Sequence, residues 1–480
     1  MPDSDTPSPP SLSPAPELER GLSAPAALGI NIIDMVGVGP FVTLPLIVIA
    51  MGGPQAMLGW LLGAMLSLCD GLIWSELGTT YPEAGGSYAY LKHLYGERLG
   101  RPLSFLYAWQ LLFSAPLSIA SGCLGFAQYL SYFFPRSGRP LLSLEVLRVP
   151  VVFSGQTLMA MALCLAALAI LYRKVRSLDR LMKVLGVAVV LALLSIIVTG
   201  LTHFNARLAF DFPPATFHLG HAFFVGLGAG MLISAYDYWG YYNVCFLGAE
   251  VRNPQKTIPQ AVLGSIAIVG TLYLLMNLSV LGVIPWREFT NNLTGDARMF
   301  TMAVFMERVY GRPAATAIVV LIALAASASV LALLLGYSRI PYAAAKSGNF
   351  PSIFARIHPK HHIPHISLLL LAGMTLLCCM FRLQEVITTL VVIRILFQFL
   401  LQGVGVLMPG HRKARSTRSF RMPLYPLPVL VALAGFLYIL LSRPGFLREM
   451  RTAGVILLAG VAVYGVRLLR SSDARATDGT

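Results

Sequence analysis

Charge is scarce in this chain. Only 12% of its 480 residues are Asp, Glu, Lys or Arg, and only 21 of those are acidic. Soluble domains carry about 25% charged residues, so a soluble enzyme and a charge-rich disordered chain are both excluded. Cysteine is sparse too. Cys69, Cys123, Cys164, Cys245, Cys378 and Cys379 all lie within apolar stretches. None has metal-ligand spacing to a histidine, which excludes a disulfide scaffold and a zinc site and leaves small packing residues. A Gly-rich phosphate loop, a nucleophile–base triad and a paired-carboxylate pattern are all missing. This argues against an enzyme and against direct ATP coupling, and no cofactor is implied. Residues 1–22 are rich in Pro, Ser and Asp and lack the apolar core of a signal peptide; they predict a disordered cytoplasmic tail.

What the chain has instead is apolar length. Hydrophobic residues make up 56%, and mean hydropathy is +0.71. A membrane-spanning helix needs about 20 mostly apolar residues. Twelve such runs are predicted, near 24–50, 54–80, 102–134, 150–171, 179–201, 219–247, 258–284, 311–338, 364–381, 385–408, 425–441 and 452–469. They form one all-α polytopic domain over 23–470, followed by a short cytoplasmic tail at 471–480. The net charge of +15 sits in connectors without interleaved aromatics, which speaks for a lipid bilayer and against nucleic acid. With the N-terminus inside, cytoplasmic connectors and tails hold 22 Lys/Arg and outer ones 12. That asymmetry places both termini in the cytoplasm. The strongest basic loops are Arg173-Lys174-Val175-Arg176 and the stretch from Arg412 to Arg421. Asn277 and Asn292 match the glycosylation pattern, the first within a run and the second in an outer loop.

Two runs contain residues that interrupt a helix. The first reads Asn31-Ile-Ile-Asp34-Met-Val-Gly37-Val38-Gly39-Pro40-Phe41. Pro40 cannot donate its backbone bond and glycine disfavours the helix. The sixth carries Tyr236-Asp237-Tyr238-Trp239-Gly240-Tyr241 within an apolar segment. Freed backbone groups at bilayer depth need partners, and interrupted segments at matching places in two halves point to a transporter site. Close packing of small residues is the competing explanation of the glycines alone. A half-helix starting near Gly37–Phe41 offers N–H groups and a positive dipole end to a carboxylate. The carbonyls of the first half-helix and of Tyr236–Trp239 suit an ammonium.

Four ordered motifs carry a resemblance. These are Gly37-Val-Gly39, then Tyr81-Pro-Glu83-Ala-Gly85-Gly86-Ser-Tyr-Ala-Tyr, then Glu250-Val-Arg-Asn253-Pro254-Gln-Lys256-Thr-Ile-Pro259, and Gly336-Tyr-Ser-Arg339-Ile-Pro341-Tyr-Ala-Ala-Ala-Lys-Ser-Gly348. Over about residues 22–470 the chain resembles permeases of the amino acid–polyamine–organocation (APC) superfamily, including L-type amino acid transporters and polyamine uptake transporters. The resemblance implies a five-plus-five inverted repeat of the leucine-transporter-like fold, with helices 1 and 6 broken. It places carboxylate-binding amides at Gly37, Val38 and Gly39 and amine-binding carbonyls at Met35, Tyr236 and Trp239. It makes Tyr236 an aromatic gate, and it sets Lys183 where sodium-coupled relatives hold an ion. Val38 stands where the family usually has Ser, and Pro40 removes one amide.

The charged residues within runs are the remaining candidates. Intramembrane charge is costly and functional by default. Lys183 is expected to tie helix five to helices one and eight and to couple transport, unless it snorkels toward Arg180. Asp34 is expected to pair with Lys183 or carry a coupling proton, and Asp237 to contact substrate; capping of the broken backbone is the plainer alternative for both. Arg394 reads as a structural counter-ion. Glu76, Glu83 and Glu250 are expected at a cytoplasmic gate, and His358, His361, His362 and His365 in a solvated loop.

Together these readings describe a secondary active transporter of amino acids in the plasma membrane. It works by alternating access and is proton-coupled or an exchanger, independent of sodium. A polyamine or cationic amino acid carrier and a non-transporting nutrient sensor are the alternatives.

Overall fold

The computed structural model describes residues 18, 20–146, 149–172, 175–214, 216–291, 299–381, 392, 394–414, 419–443 and 445–477. Most of the N-terminal tail, Arg173 and Lys174, Asn292, and residues 382–391 at the start of the tenth run lie outside them. The described chain is mostly helical, as apolar segments must be where no water can satisfy the backbone.

The first run forms two helices, α1 (Ala24–Met35) and α2 (Gly39–Met51), separated by residues 36–38 and bent by 45°. The sequence explains the place. Pro40 has no N–H to give Val36, so α1 cannot continue, yet a proline in the first turn of α2 loses nothing. Next come α3 (Ala56–Thr80), α4 (Ser87–Leu94) and α5 (Gly96–Leu130).

A hairpin of β1 (Pro140–Val146) and β2 (Val149–Ser154) follows, paired antiparallel with Leu144 opposite Val151 and Val146 opposite Val149. The fourth apolar run therefore starts as a strand. Its Val-Pro-Val-Val-Phe segment is β-branched and aromatic. The helix α6 (Gly155–Leu171) begins only where Ser154 and Thr157 form a reciprocal capping box.

Helix α7 (Val175–Thr202) leads to the sixth run, where α8 (His221–Tyr238) stops short of α9 (Asn243–Phe246). Trp239 is extended and Gly240 has φ +123°. The remaining helices used below are α10 (Pro254–Leu281), α11 (Thr301–Tyr310), α12 (Arg312–Tyr337), α13 (Arg339–Lys346) and α14 (His365–Cys378). A π-helical turn, Ile395–Leu400, runs into α15 (Leu401–Leu407), and α16 (Pro409–Ala414), α17 (Leu427–Leu441) and α18 (Phe446–Thr477) close the chain.

Among the described residues, five helical stretches, α3, α5, Leu181–Thr202, α10 and Arg312–Lys346, are long and apolar enough to cross a membrane, and the bent α1–α2 pair makes a sixth. Five shorter apolar helices accompany them. Helix α1 packs against α10 and α12, α2 against α8, and α3 against α8 and α10. The two interruptions are thereby enclosed by continuous helices. All six cysteines are free thiols.

Candidate functional site

Both interruptions border one cavity. One wall holds Asp34, Met35, Gly37, Val38 and Gly39; the facing wall holds Tyr236, Asp237, Trp239, Gly240 and Tyr242. Every residue expected to bind substrate thus lines the same space, with Asp34 beside them. Among the described residues, the amides of Gly37 and Val38 donate to no backbone carbonyl. They precede the N-terminus of α2, whose first N–H groups have no partner in their own helix.

Close approach explains the glycines. A Cβ on Gly39 would strike Asp237 Oδ1, and one on Gly37 would lie 2.9 Å from Ser329 Oγ. A Cβ on Gly240 would lie 2.7 Å from the Met35 nitrogen and 2.8 Å from the Asp34 carbonyl carbon. Its left-handed φ also suits only glycine well.

Polar side chains lock the two interruptions together. Asn31 is fully buried; its Nδ2 donates to the Tyr241 carbonyl (2.5 Å), and its Oδ1 accepts from the Val244 amide (2.9 Å). Asn243 Nδ2 donates to Asp34 Oδ2 (2.7 Å) and to the Ala332 carbonyl (3.1 Å). Thr43 Oγ1 donates to Asp237 Oδ2 (2.5 Å), whereas Asp237 Oδ1 is buried without a hydrogen-bond partner. Tyr273 O–H donates to the Met35 carbonyl (2.7 Å), one of the carbonyls expected to meet an ammonium; its second lone pair is still available. Tyr236 O–H donates to Ser121 Oγ (2.9 Å), which holds the expected gate across the cavity toward α5.

Sequence reasoning did not place Arg394 here. It is 1% exposed and lines the cavity. Its guanidinium lies over the rings of Trp239 (5.4 Å) and Tyr337 (5.1 Å). Its hydrogen bonds are long and go to neutral groups: the Tyr242 hydroxyl (3.3 Å), the Ser114 carbonyl (3.3 Å) and Ser118 Oγ (3.4 Å). Its Nε is buried without a partner. The available signal was a lone arginine within an apolar run; the structure adds a π-helical turn, Ile395–Leu400, directly after it, a feature common at functional sites.

Two expected site residues lie elsewhere. Lys183 sits on the exposed face of α7, one turn before Gly186 meets Ile33 of α1. Glu76 is fully buried at the end of α3, where its carboxylate accepts from His411 Nε2 (3.1 Å) and the Met422 amide (2.7 Å). The same end of the bundle gathers further ties. Arg339 is bidentate on Glu250 (2.8 and 3.1 Å), and Leu22 exchanges backbone bonds with Glu250 and Arg252 (2.9 Å each). His93 bonds Glu83 (2.9 Å) while stacking on Tyr81, and this bond holds the Glu83 carboxyl below the usual glutamate range. His358, His361 and His365 cluster around Tyr172. Among the described residues no group of three or more His, Cys, Asp or Glu could hold a metal ion.

Comparison with known proteins bears on the whole chain. Residues 22–448 match the profile of a family described as amino acid permease. The serine/threonine exchanger SteT of Bacillus subtilis is 25% identical over 464 residues, covering 95% of this chain and 98% of that protein. The cystine/glutamate transporter of Homo sapiens is 28% identical over 93% of this chain and 85% of its own length. The branched-chain amino acid permease BcaP of Lactococcus lactis is 24% identical over 91% and 92%. With its apolar helices and the match across its length, the chain is an integral membrane protein and belongs to the amino acid permease family of the APC superfamily.

Proposed function

We propose that the chain moves an amino acid across the plasma membrane by alternating access, with substrate held between the two interrupted helices. One observation carries this reading. Unbonded amides at Gly37 and Val38 face, across a single cavity, the unpartnered Oδ1 of Asp237 and the carbonyls of a second interruption. A zwitterion has complementary charge for both walls. Gly37, Val38 and Gly39 would take its carboxylate. Met35, Tyr236, Asp237 and Trp239 would take its ammonium, and Tyr236 would gate it.

The twelve-span, five-plus-five inverted-repeat architecture and the domain limits 23–470 belong to this proposal. So do cytoplasmic termini, which put the Glu76, Glu83 and Glu250 ties at the cytoplasmic gate. Lys183, in the place the resemblance gives to a sodium ion, supports independence from sodium. It and Asp34 would couple bound substrate to the conformational cycle of a proton-linked carrier or exchanger. The name of one relative, an exchanger, supports the second option.

The test is uptake in proteoliposomes over a panel of labelled amino acids and polyamines, with and without sodium and an inward proton gradient. Flux of one amino acid class, indifferent to sodium, is expected. A Gly39→Leu chain should fold and lose flux; unimpaired uptake would remove the site assignment. Binding without flux would make the protein a sensor.

Arg394 favours a narrower reading in which the carried amino acid has an anionic side chain. The guanidinium keeps its charge at all working pH values and faces the cavity with weak neutral partners. A polyamine would meet repulsion there. The name of the human relative includes glutamate, which supports the same reading. Arg394→Gln should lower uptake of acidic amino acids at least about tenfold, ~1.4 kcal/mol, while sparing neutral ones. Equal losses for both would remove it.

A further inference from the structure

Asp34 and Asp237 face the cavity, so their charge is bound up with substrate. A third carboxylate is not. Asp70 is 1% exposed and does not line the cavity. It stands 14 residues into α3 and 10 from its end, about 21 and 15 Å along the helix, near the middle of a bilayer core about 30 Å thick. Among the described residues it has one hydrogen-bonded partner, the Tyr241 hydroxyl, which donates to its Oδ2 at 2.6 Å. No ion pair joins it to a Lys, Arg or His among them.

Tyr241 is the telling partner. It belongs to the interruption between α8 and α9, whose Trp239, Gly240 and Tyr242 line the cavity, while its own side chain reaches the opposite way, to α3. Asn31 of α1 holds the Tyr241 carbonyl. Tyr242 accepts from Arg394 on the cavity side and stacks on Trp74, one turn beyond Asp70, at 4.8 Å. The buried Trp74 indole N–H has no partner and is a second donor within reach of a carboxylate at position 70. Any shift of the interruption during transport moves the hydroxyl that Asp70 holds.

We propose that Asp70 is a proton-binding site behind the second helix interruption, coupling proton uptake to the movement of Tyr241. This rests on the permease reading above. An ionised Asp70 makes a charge-assisted bond, roughly twice as strong as a neutral one, and pins the interruption to α3. A proton on the carboxyl neutralises it, weakens that hold and frees the segment to close over substrate. Because the site is separate from the cavity, proton and amino acid can be bound together.

The titratable groups around Asp70 are Tyr241, Cys245 on α9 and Cys69 on its own helix. Helix α10 meets the next residue, Gly71, with Ile266 and Val262. Helices α2 and α15 carry no titratable side chain. Tyr238 of α8 and Tyr273 of α10 pack on Trp60, ten residues earlier, and Tyr438 of α17 bonds Phe224. Glu76 is engaged with His411.

The experiment compares native, Asp70→Asn and Tyr241→Phe chains in proteoliposomes, reading uptake against external pH, stimulation by an inward proton gradient, and gradient-free exchange of internal for external substrate. The native chain is expected to be stimulated. Asp70→Asn should retain exchange, lose stimulation and show a flat pH profile. Tyr241→Phe keeps the carboxyl but removes the donor that favours its charged form, so its pH midpoint should move upward. Gradient stimulation that survives in Asp70→Asn overturns the proposal, as does a native chain that exchanges substrate without responding to pH. A native chain without binding or flux instead overturns the permease reading itself.

Discussion

The two interruptions that border the cavity are built from opposite materials. The first, between α1 and α2, is Val-Gly-Val followed by Gly39 and Pro40. It has no polar side chain of its own and presents backbone amides. The second, between α8 and α9, is Trp-Gly-Tyr-Tyr, and its large rings pack outward on every side: Trp239 on Phe399, Tyr242 on Trp74, and Tyr241 against Tyr242. The first is shaped by what it lacks and the second by what it buries. Only the second contains a left-handed glycine, and that glycine presses on the end of α1. The geometry of the first interruption therefore depends on the second.

The largest expected effect comes from breaking that dependence. Gly240→Ala puts a methyl group against the backbone of Asp34 and Met35 and imposes a left-handed conformation on an L-residue. That strain costs about 1–3 kcal/mol, and the contact adds to it because backbone cannot yield. Uptake should fall by at least about tenfold, with lower thermal stability in detergent. Gly29→Ala, where a Cβ meets nothing within 4 Å, is the matched control and should leave both unchanged. If Gly240→Ala behaves like the control, the two interruptions do not touch as described.

The unequal legibility of the two follows from their materials. Gly37, Gly39 and Pro40 disfavour a helix locally, so the sequence marks the end of α1 to within a residue or two. In the second, the polar, aromatic cluster from Tyr236 to Tyr241 marks a break but not its place, because rings read the same whether they pack in a helix or around a turn. The strand at Val149–Ser154 was hidden for a related reason: a short apolar run carries no period that separates strand from helix. Arg394 and Asp70 show a further limit. Each was readable as a charge inside an apolar run, but whether it faces the cavity or the back of an interruption is set by rotation about its helix and by which neighbour packs there. Asn31 gave no signal at all, since one asparagine in an apolar helix does not name its partner 210 residues away.

Asn31 gives the second test of the comparison, with a smaller effect. It makes one buried hydrogen bond to the second interruption and one to the first turn of α9, and none to the first interruption. Asn31→Ala removes both and leaves the Tyr241 carbonyl and Val244 amide without their partner, at about 1–3 kcal/mol per buried orphan group. The melting temperature should drop, and substrate affinity should weaken because the second interruption is no longer fixed to α1. Asn31→Asp still accepts from Val244, but its second oxygen would face the Tyr241 carbonyl and its buried charge is costly, so it should fare no better than alanine. Equal melting temperatures for Asn31→Ala and the native chain would mean that ring packing alone fixes the second interruption.

The smallest effect concerns the loop after α3, which is tied to α9, the short helix that follows the second interruption, through the Gly85 amide and the Phe246 carbonyl, 3.0 Å apart. Glu83 in this loop is held by His93, and the carboxyl titrates below its ordinary value because the hydrogen bond favours its charged form. A group depressed in the folded state adds stability above its unfolded value and loses it as pH falls through the folded one. Both partners are substantially solvent-exposed, so screening limits the contribution to about 0.5 kcal/mol or less. Glu83→Gln should therefore melt slightly below the native chain at pH 6. The two curves should converge as the pH drops below the ordinary glutamate value of 4.5. A gap that persists there would assign the difference to packing on Tyr81 and not to the charge. In that case the loop, like the second interruption and unlike the first, would owe its shape to its rings.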